Sequence, residues 1–220
     1  MKLRVIITGT TGMVGEGVLQ ECIANPEVKN ILLINRKPSG YSHPKIEEVI
    51  HSDLSDISTI AEKIKGYDAC YFCAGVSAIG MSEEQYTKVT YDLTLGFAAT
   101  LAKHNPQMTF CYVSGGGTNI KSKQMWARVK GKTENDLMKL PFKAVYNLRP
   151  AFMKPTKGAK NVKGFYKVVD ALFPFFRLFS KTYFLTLKEV GKGMINVTMN
   201  GYYKNTLEVK DISFLSKAQN

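Results

Sequence analysis

Short apolar runs alternate with segments of helical apolar spacing along the first two thirds of the chain. Runs that are apolar throughout, such as the one from Ile31 to Ile34, are typical of parallel strands buried on both faces. An alternation of strand and helix predicts βαβ units with right-handed crossovers, and therefore an α/β fold with a doubly wound parallel sheet. The predicted strands are residues 3–8, 31–34, 45–51, 69–73, 108–113 and 144–148, and the predicted helices are residues 13–24, 58–65, 82–104 and 123–139.

The first helix opens on a glycine-rich turn that follows the first strand directly and has the sequence Thr8-Gly9-Thr10-Thr11-Gly12-Met13-Val14-Gly15. One glycine permits a tight turn, the second lets main-chain N–H groups approach a pyrophosphate, and the third allows the helix to pack closely on the strand. The N-terminus of the helix adds partial positive charge toward phosphates. The pattern predicts a Rossmann-type domain in which residues 9–14 bind NAD(P).

The ends of the next strands refine the expected cofactor. Asn35 and Arg36 stand twenty residues after Gly15, where proteins that prefer NAD usually place a carboxylate on the ribose 2′-hydroxyl. The missing acid removes repulsion toward a 2′-phosphate, and Arg36 can pair with that group. We therefore expect NADP(H) to be favoured over NAD(H), the alternative being that Arg36 is an unrelated surface residue. Further cofactor contacts are expected at the strand ends, from Asp53, Leu54, Cys73, Ala74 and Gly75.

The strand and helix pattern loosens after Pro150. Residues 162–184 are predicted as one or two helices broken at Pro174, and residues 187–201 as a further helix. We expect residues 1–155 to form the NAD(P)-binding domain. Residues 156–220 would then be a small, mostly helical C-terminal extension that forms the substrate-side wall of the same domain.

The apolar patterning and the cysteines indicate in which compartment the protein is expected. The start of the chain lacks the apolar core of a signal peptide, and no run is apolar enough to span a membrane. The four cysteines lie in apolar runs without the spacing of metal ligands. We expect reduced thiols, no metal site and a cytoplasmic location.

The net charge of +12 is concentrated in the C-terminal part of the chain. Residues 1–120 carry 10 Lys and Arg against 12 Asp and Glu, whereas residues 121–220 carry 20 against 6. A solvated basic face explains this excess, and so does an anionic substrate or partner. The sequence leaves both explanations open.

The motifs in this order resemble the extended or atypical short-chain dehydrogenase/reductase superfamily. More narrowly, the chain is similar to NAD(P)-binding proteins grouped with nucleoside-diphosphate-sugar epimerases and with the Tat-interacting oxidoreductase-like proteins. The resemblance covers about residues 1–155. Besides the cofactor motifs above, it rests on Tyr112-Val113-Ser114, Lys130-Gly131-Lys132-Thr133-Glu134 and Leu148-Arg149-Pro150.

The resemblance also implies a catalytic site, from which this chain departs. In the superfamily a serine after the fifth strand polarises the substrate, and a Tyr-x-x-x-Lys pair on the next helix transfers a proton. These roles fall to Ser114 and Lys130, with Lys130 and Pro150 also beside the cofactor, but Trp126 stands at the tyrosine position. An indole N–H donates a hydrogen bond and exchanges no proton near neutral pH. Thr90 likewise replaces an asparagine of the superfamily, so we expect weak turnover.

Functions from three classes follow from these observations. The first is an NADP(H)-dependent oxidoreductase or epimerase-like enzyme for a small molecule, with water or Tyr166 relaying protons. The alternative is a non-catalytic NADP(H)-sensing regulatory or scaffold protein, which Trp126 motivates. A third would bind nucleic acid or a membrane surface through the basic C-terminal segment. Aromatic residues at helical spacing usually form core, so we expect no nucleic-acid partner. A homodimer is compatible with the sequence.

Overall fold

Nine strands are present in the parts of the chain that the computed structural model describes, residues 2–154 and 184–218. They are β1 (Leu3–Thr8), β2 (Val28–Asn35), β3 (Ile46–Ile50), β4 (Ala69–Phe72), β5 (Thr109–Val113), β6 (Ala144–Arg149), β7 (Phe152–Lys154), β8 (Phe184–Thr186) and β9 (Thr206–Glu208). Seven form one sheet in the order β3-β2-β1-β4-β5-β6-β9, with every neighbouring pair parallel. Strands β7 and β8 pair separately. The predicted doubly wound α/β fold is confirmed.

Helices cover both faces of this sheet. They are α1 (Met13–Ala24), a 3₁₀ helix (Ser58–Ile64), α2 (Glu83–Thr87), a π-helical segment (Lys88–Asp92), α3 (Leu93–His104), α4 (Met125–Leu137), α5 (Leu187–Asn200) and α6 (Val209–Leu215).

The strand β1 shows how the sheet divides the core. Its side chains alternate between the two faces, so Val5 and Ile7 pack with residues of α1, α5 and α6, whereas Ile6 packs with residues of α3 and α4. All three side chains are fully buried. This two-sided burial explains why the parallel strands are apolar throughout, as the sequence pattern indicated.

Helix α5 packs closely on α1 through two glycines. A Cβ atom added to Gly17 of α1 would lie 2.6 Å from the Cβ of Leu187, and one added to Gly191 of α5 would lie 2.8 Å from the Cβ of Glu21. The C-terminal extension therefore contributes α5 to the same helical layer as α1. It also contributes β9 to the edge of the main sheet, beside β6.

Several elements differ from their predicted form. The segment predicted as a helix over 58–65 is a 3₁₀ helix with a kink at Ile60, since seven residues give a true α-helix few internal hydrogen bonds. The helix predicted over 82–104 begins at Glu83 and contains the π-helical segment. Phe184, predicted as helical, starts β8. The pattern did not predict β7, β8 and β9, because three-residue strands offer too few positions for periodicity. It also did not predict α6, whose seven residues make only about two helical turns.

None of the described helices is both long enough and apolar enough to cross a membrane. The division at residue 155 stays a prediction, as do the helices expected over residues 162–183, which lie outside the described residues.

Candidate functional site

The glycine-rich turn lies between β1 and α1 and brings main chain against main chain. Gly9 has a φ of +72°, and a Cβ atom there would lie 2.6 Å from the nitrogen of Ala74. A Cβ atom on Gly15 would lie 2.9 Å from the nitrogen of Thr10. Both positions thus require glycine for the fold itself.

Gly12 differs from these two glycines. It caps α1 with a φ of −112°, and the nearest atom to an added Cβ would be the Gly9 oxygen at 3.4 Å, an ordinary contact. No side chain caps the helix, so its first-turn N–H groups are left for water or a ligand. A glycine that the fold does not require, beside uncapped N–H groups, fits the approach of a pyrophosphate.

Asn35 connects this turn to the neighbouring strands. Its Nδ2 donates to the Thr10 hydroxyl at 2.7 Å and to Glu48 Oε1 at 2.9 Å, and its Oδ1 accepts from the Thr10 nitrogen at 3.2 Å. Asn35 and Thr10 are both buried. The Asn35 side chain therefore fixes the shape of the turn, a role that the sequence analysis did not anticipate.

The loop after β2, residues 36–41, is fixed at its far side. The nitrogen of Ser39 donates to Glu48 Oε1 at 2.9 Å, and the Tyr41 hydroxyl donates to the buried Glu16 at 2.5 Å. Burial, with the Glu16 carboxylate next in importance, raises the pKa of Tyr41, so its proton stays on this contact. These anchors restrict the part of the chain that carries Arg36.

A cleft of about 540 Å³ opens at the carboxyl ends of the central strands, where ligands of doubly wound sheets bind. Several predicted cofactor residues lie together in its lining, and Lys37, which sequence reasoning overlooked, joins them. The residues of the lining are Gly9, Thr11, Gly12, Asn35, Arg36, Lys37, Leu54, Cys73, Ala74 and Gly75.

The other predicted cofactor residues lie outside that lining. Thr10 is buried behind the turn, and Met13 and Val14 begin α1. Asp53 is exposed, and its Oδ1 accepts from the nitrogen and the hydroxyl of Ser55 at 2.8 and 2.6 Å, which lowers the Asp53 pKa. The buried Pro150 accepts a hydrogen bond at its oxygen from the Gly116 nitrogen.

A threonine that the sequence analysis did not single out connects the first and fourth strands. The Thr8 hydroxyl accepts from the nitrogens of Cys73 and Ala74, each at 3.2 Å. This contact holds two parts of the cleft lining in register. The four cysteines are free thiols, and burial raises the Cys73 pKa well above its usual range, so this thiol is not a nucleophile here.

Ser114 and Lys130, predicted as catalytic, meet at the end of β5. The Lys130 ammonium donates to the oxygens of Ser114 at 2.9 Å and Val113 at 3.3 Å, and burial lowers the pKa of Lys130 to about 8. The buried Ser114 hydroxyl lies 3.1 Å from the hydroxyl of Thr118, which in turn donates to the Gly115 oxygen. Lys130 thus fixes the main chain that presents the serine.

Trp126 lies against the glycine loop that follows Ser114. Cβ atoms added to Gly115 and Gly117 would lie 3.9 and 3.7 Å from the six-membered ring of its indole. Trp126 and Lys130 lie on the same helix, α4, about one turn apart, and the assignment of Trp126 to the tyrosine position stays a prediction.

Thr90 lies in the π-helical segment and is buried, and its hydroxyl has no hydrogen-bond partner within the described chain. π-helical segments often occur at functional sites. Tyr166, the predicted relay residue, lies outside the described residues, as do the other aromatic residues of the basic C-terminal segment, Phe165, Phe173, Phe175, Phe176 and Phe179.

A family model described as the NAD dependent epimerase/dehydratase family matches residues 5–128. Among solved structures, a glucuronic acid dehydrogenase from Chromohalobacter salexigens superposes with a TM-score of 0.69 at 14% identity, covering 94% of this chain and 76% of that one. A UDP-N-acetylglucosamine 4-epimerase from Methanobrevibacter ruminantium M1 gives 0.67 at 16% identity, with the same coverage of 94% and 76%. At these identities the likeness concerns the fold.

Curated relatives match at higher identity. Protein FMP52, mitochondrial, from Meyerozyma guilliermondii is 28% identical over 166 residues, which are 75% of this chain and 70% of the relative. Protein fmp52, mitochondrial, from Emericella nidulans is 30% identical over 156 residues, 68% of this chain and 66% of the relative. Leucinostatins biosynthesis cluster protein T from Purpureocillium lilacinum is 31% identical over 142 residues, 63% of this chain and 52% of the relative. The match thus spans between about half and 70% of these relatives' lengths.

The expected cytoplasmic location is contradicted by these relatives, several of which are named as mitochondrial proteins. The expectation rested on apolar patterning and cysteine usage, and reduced thiols are not specific to one compartment.

The region that the family model matches contains the glycine-rich turn, the cleft beside it and the segment from Ser114 to Trp126. The chain belongs to the NAD dependent epimerase/dehydratase family, within the extended short-chain dehydrogenase/reductase superfamily.

Proposed function

We propose that the protein is an oxidoreductase or epimerase-like protein that prefers NADP(H) and turns over slowly. The observation that carries the cofactor preference is the pair Arg36 and Lys37 in the lining of the cleft, next to Asn35 in place of an acid. The Asn35 amide hydrogen-bonds to Thr10 and Glu48. The two cations are therefore the groups available to a 2′-phosphate.

Fluorescence titration with NADPH and NADH tests this preference. We expect Arg36→Ala to weaken NADPH binding about tenfold, the effect of one charge-assisted contact, and to change NADH binding less than about twofold. Lys29→Ala is the matched control, because Lys29 is exposed at the opposite end of the same strand. Equal losses for both nucleotides would remove the assignment of Arg36 to the 2′-phosphate.

The bound nicotinamide would supply or accept the hydride. The residues of this chain would do the rest of the chemistry. Ser114 would orient a substrate oxygen through its hydroxyl, and Lys130 would hold the end of β5 and a ribose. Trp126 can donate a hydrogen bond but cannot return a proton, so proton transfer would fall to water.

Replacing Trp126 tests whether the rest of the site is competent. We expect Trp126→Tyr to raise the rate of NADPH oxidation with a panel of small carbonyl compounds about 100-fold, a usual contribution of a general acid. Trp126→Phe removes the indole without adding a hydroxyl and should leave the rate low. A phenylalanine variant as active as the tyrosine variant would mean that the indole only blocks the site.

A second candidate function is a non-catalytic NADP(H) sensor. It is favoured by Trp126, because its indole packs on Gly115 and Gly117 of the loop after Ser114 and cannot return a proton. Pull-down of partner proteins with NADPH, with NADP⁺ and without nucleotide separates the two functions. An identical set of partners in all three conditions would count against sensing.

We further propose a small anionic substrate and an extension that walls its site. The basic excess of residues 121–220 supports the first point. The second is supported by Glu208, Val209 and Lys210, which line a cleft together with the loop after Ser114. A homodimer stays a prediction, and light scattering of the full chain tests it.

A further inference from the structure

A second cleft, of about 520 Å³, lies at the carboxyl edge of the sheet between the loop after β5 and the ends of β6 and β9. Its walls are mostly apolar or main chain, from Gly116, Gly117, Ala151 and Val209. We propose that this cleft binds a small carboxylic acid with an apolar body, whose carboxylate is held by Arg149 and Lys210. The inference rests on the proposed function, because it makes the cleft the substrate site of that activity.

The guanidinium of Arg149 is only partly engaged. Its Nε and Nη2 donate to the buried carboxylate of Glu134 at 3.0 and 2.5 Å, and its Nη1 donates to Glu208 at 3.1 Å. A guanidinium has five N–H groups, so two remain beyond these three bonds. The edge formed by Nε and Nη2 is fixed to Glu134 of α4, and Arg149 is one of the residues that line the cleft.

Glu208 pairs only weakly with the remaining nitrogen of the guanidinium, Nη1. Its side chain is 46% exposed, whereas that of Glu134 is 4% exposed. An ion pair with one partner exposed to this degree contributes little, because water solvates the Glu208 carboxylate. A ligand carboxylate can therefore take the place of Glu208 on Nη1, while Glu208 remains the N-cap residue of α6. Lys210, exposed and part of the same lining, supplies a second positive charge.

The walls define the rest of the ligand. Gly116 is held to the end of β6 by the bond from its nitrogen to the Pro150 oxygen at 2.8 Å, and a Cβ atom on it would lie 3.2 Å from that of Ala151. Small residues thus create the space, and the hydrogen-bonding side chains of the lining are the three charged ones, Arg149, Glu208 and Lys210. An apolar body fits such walls better than a polyhydroxylated one.

The position of the cleft connects it to the reacting groups. Gly116 and Gly117 belong to the loop that begins at Ser114, and Trp126 packs on Gly117. A molecule in the cleft therefore contacts the loop that presents the serine hydroxyl. A carboxylate on Arg149 would orient the ligand with its body along this loop.

The test uses 3-phenylpropanoate and its uncharged analogue 3-phenylpropanamide, titrated into the full chain by ligand-observed NMR with and without saturating NADPH. We expect the acid to bind about tenfold more tightly than the amide, since charge-assisted bonds are about twice as strong as neutral ones. Lys210→Ala should weaken the acid about fivefold, and Glu208→Gln should strengthen it about threefold, since each changes one unit of charge at the carboxylate. The charge-matched controls Lys103→Ala and Glu84→Gln, both at exposed positions, should change neither affinity.

Equal binding of acid and amide, or a Glu208→Gln variant that binds the acid less tightly, would overturn the assignment. So would an unchanged affinity in Lys210→Ala. NADPH titration of the unaltered protein separates this failure from that of the proposed function. If NADPH binds and the acid does not, only the substrate site is wrong. If NADPH does not bind, the proposed function is wrong, and an acid that still binds then leaves the cleft as a carboxylate site without redox chemistry.

Discussion

At the scale of single residues, the shape of the glycine-rich turn and the charge beside it depend on two adjacent residues, Asn35 and Arg36. The residue closes β2 and is buried, and its amide makes three hydrogen bonds, two of them to Thr10. Arg36, its exposed neighbour, lines the cleft. Adjacent residues therefore differ in their surroundings: Asn35 fixes the turn, and Arg36 lies in the lining of the cleft.

Truncation of Asn35 should consequently affect all nucleotides alike. We expect Asn35→Ala to lower the free energy of unfolding by about 2 kcal/mol, because it leaves the Thr10 N–H and hydroxyl without these partners. It should also weaken NADPH and NADH by the same factor, in contrast to Arg36→Ala. Denaturant unfolding and nucleotide titration measure the two effects. Asn30→Ala, at an exposed position of the same strand, is the control; a selective loss of NADPH in Asn35→Ala would contradict the positioning role.

Residues that line the cleft could be predicted from the sequence more readily than the residues that fix the lining in place. Glycine spacing and strand ends indicated Gly9, Gly12 and Arg36, because those signals are local. Thr8 and Glu48 act through contacts with distant segments, and the spacing of residues along the chain does not predict such contacts. Arg36 and Lys37 are adjacent in the sequence, but that both line the cleft depends on how the loop after β2 is anchored.

At the scale of elements, the close contact between α1 and α5 depends on glycine at positions 17 and 191. We expect Gly17→Ala to lower the free energy of unfolding by about 1–3 kcal/mol, although alanine favours helix, because the added Cβ would lie 2.6 Å from the Cβ of Leu187. Thermal denaturation checks this. Gly75→Ala is the control, since no atom lies within 4 Å of a Cβ added there. An unchanged or higher stability for Gly17→Ala would show that α5 shifts away at little cost.

Long elements followed the sequence pattern, and short or irregular ones did not. The helices α1, α4 and α5 lie within two residues of their predicted bounds, since twelve or more residues give several repeats of a helical period. The π-helical segment is invisible to that period, because one additional residue in a turn shifts the register without changing composition. Strand β9 is three residues long and is fixed by its pairing with β6.

At the scale of the whole molecule, the sheet order brings distant segments to one edge. Strands β1, β2 and β4 are neighbours in the sheet, so the ends of three chain segments line the cleft beside the glycine-rich turn. Strands β5, β6 and β9 are neighbours on the other side, and their ends meet at the second cleft. The alternation of elements predicted a doubly wound parallel sheet but no strand order. The place of β9 could not be read from the chain, because the edge strand comes from the C-terminal extension.

Because one cleft joins segments from across the chain, a ligand there should stabilise the whole fold. At a hundredfold excess over its dissociation constant, NADPH should add about 2.7 kcal/mol to the free energy of unfolding. For a chain of this size that corresponds to a rise in Tm of about 5–10 °C. Gly12→Val should keep the Tm of the protein without nucleotide within about 2 °C, because Gly12 has an ordinary φ and an added Cβ would meet only the Gly9 oxygen, at an ordinary contact distance of 3.4 Å. The same substitution should abolish the rise with NADPH, since a branched side chain would stand where the pyrophosphate approaches the main chain. Differential scanning fluorimetry of both proteins decides the matter: a variant that still gains stability from NADPH would show that the phosphates bind elsewhere than at this turn.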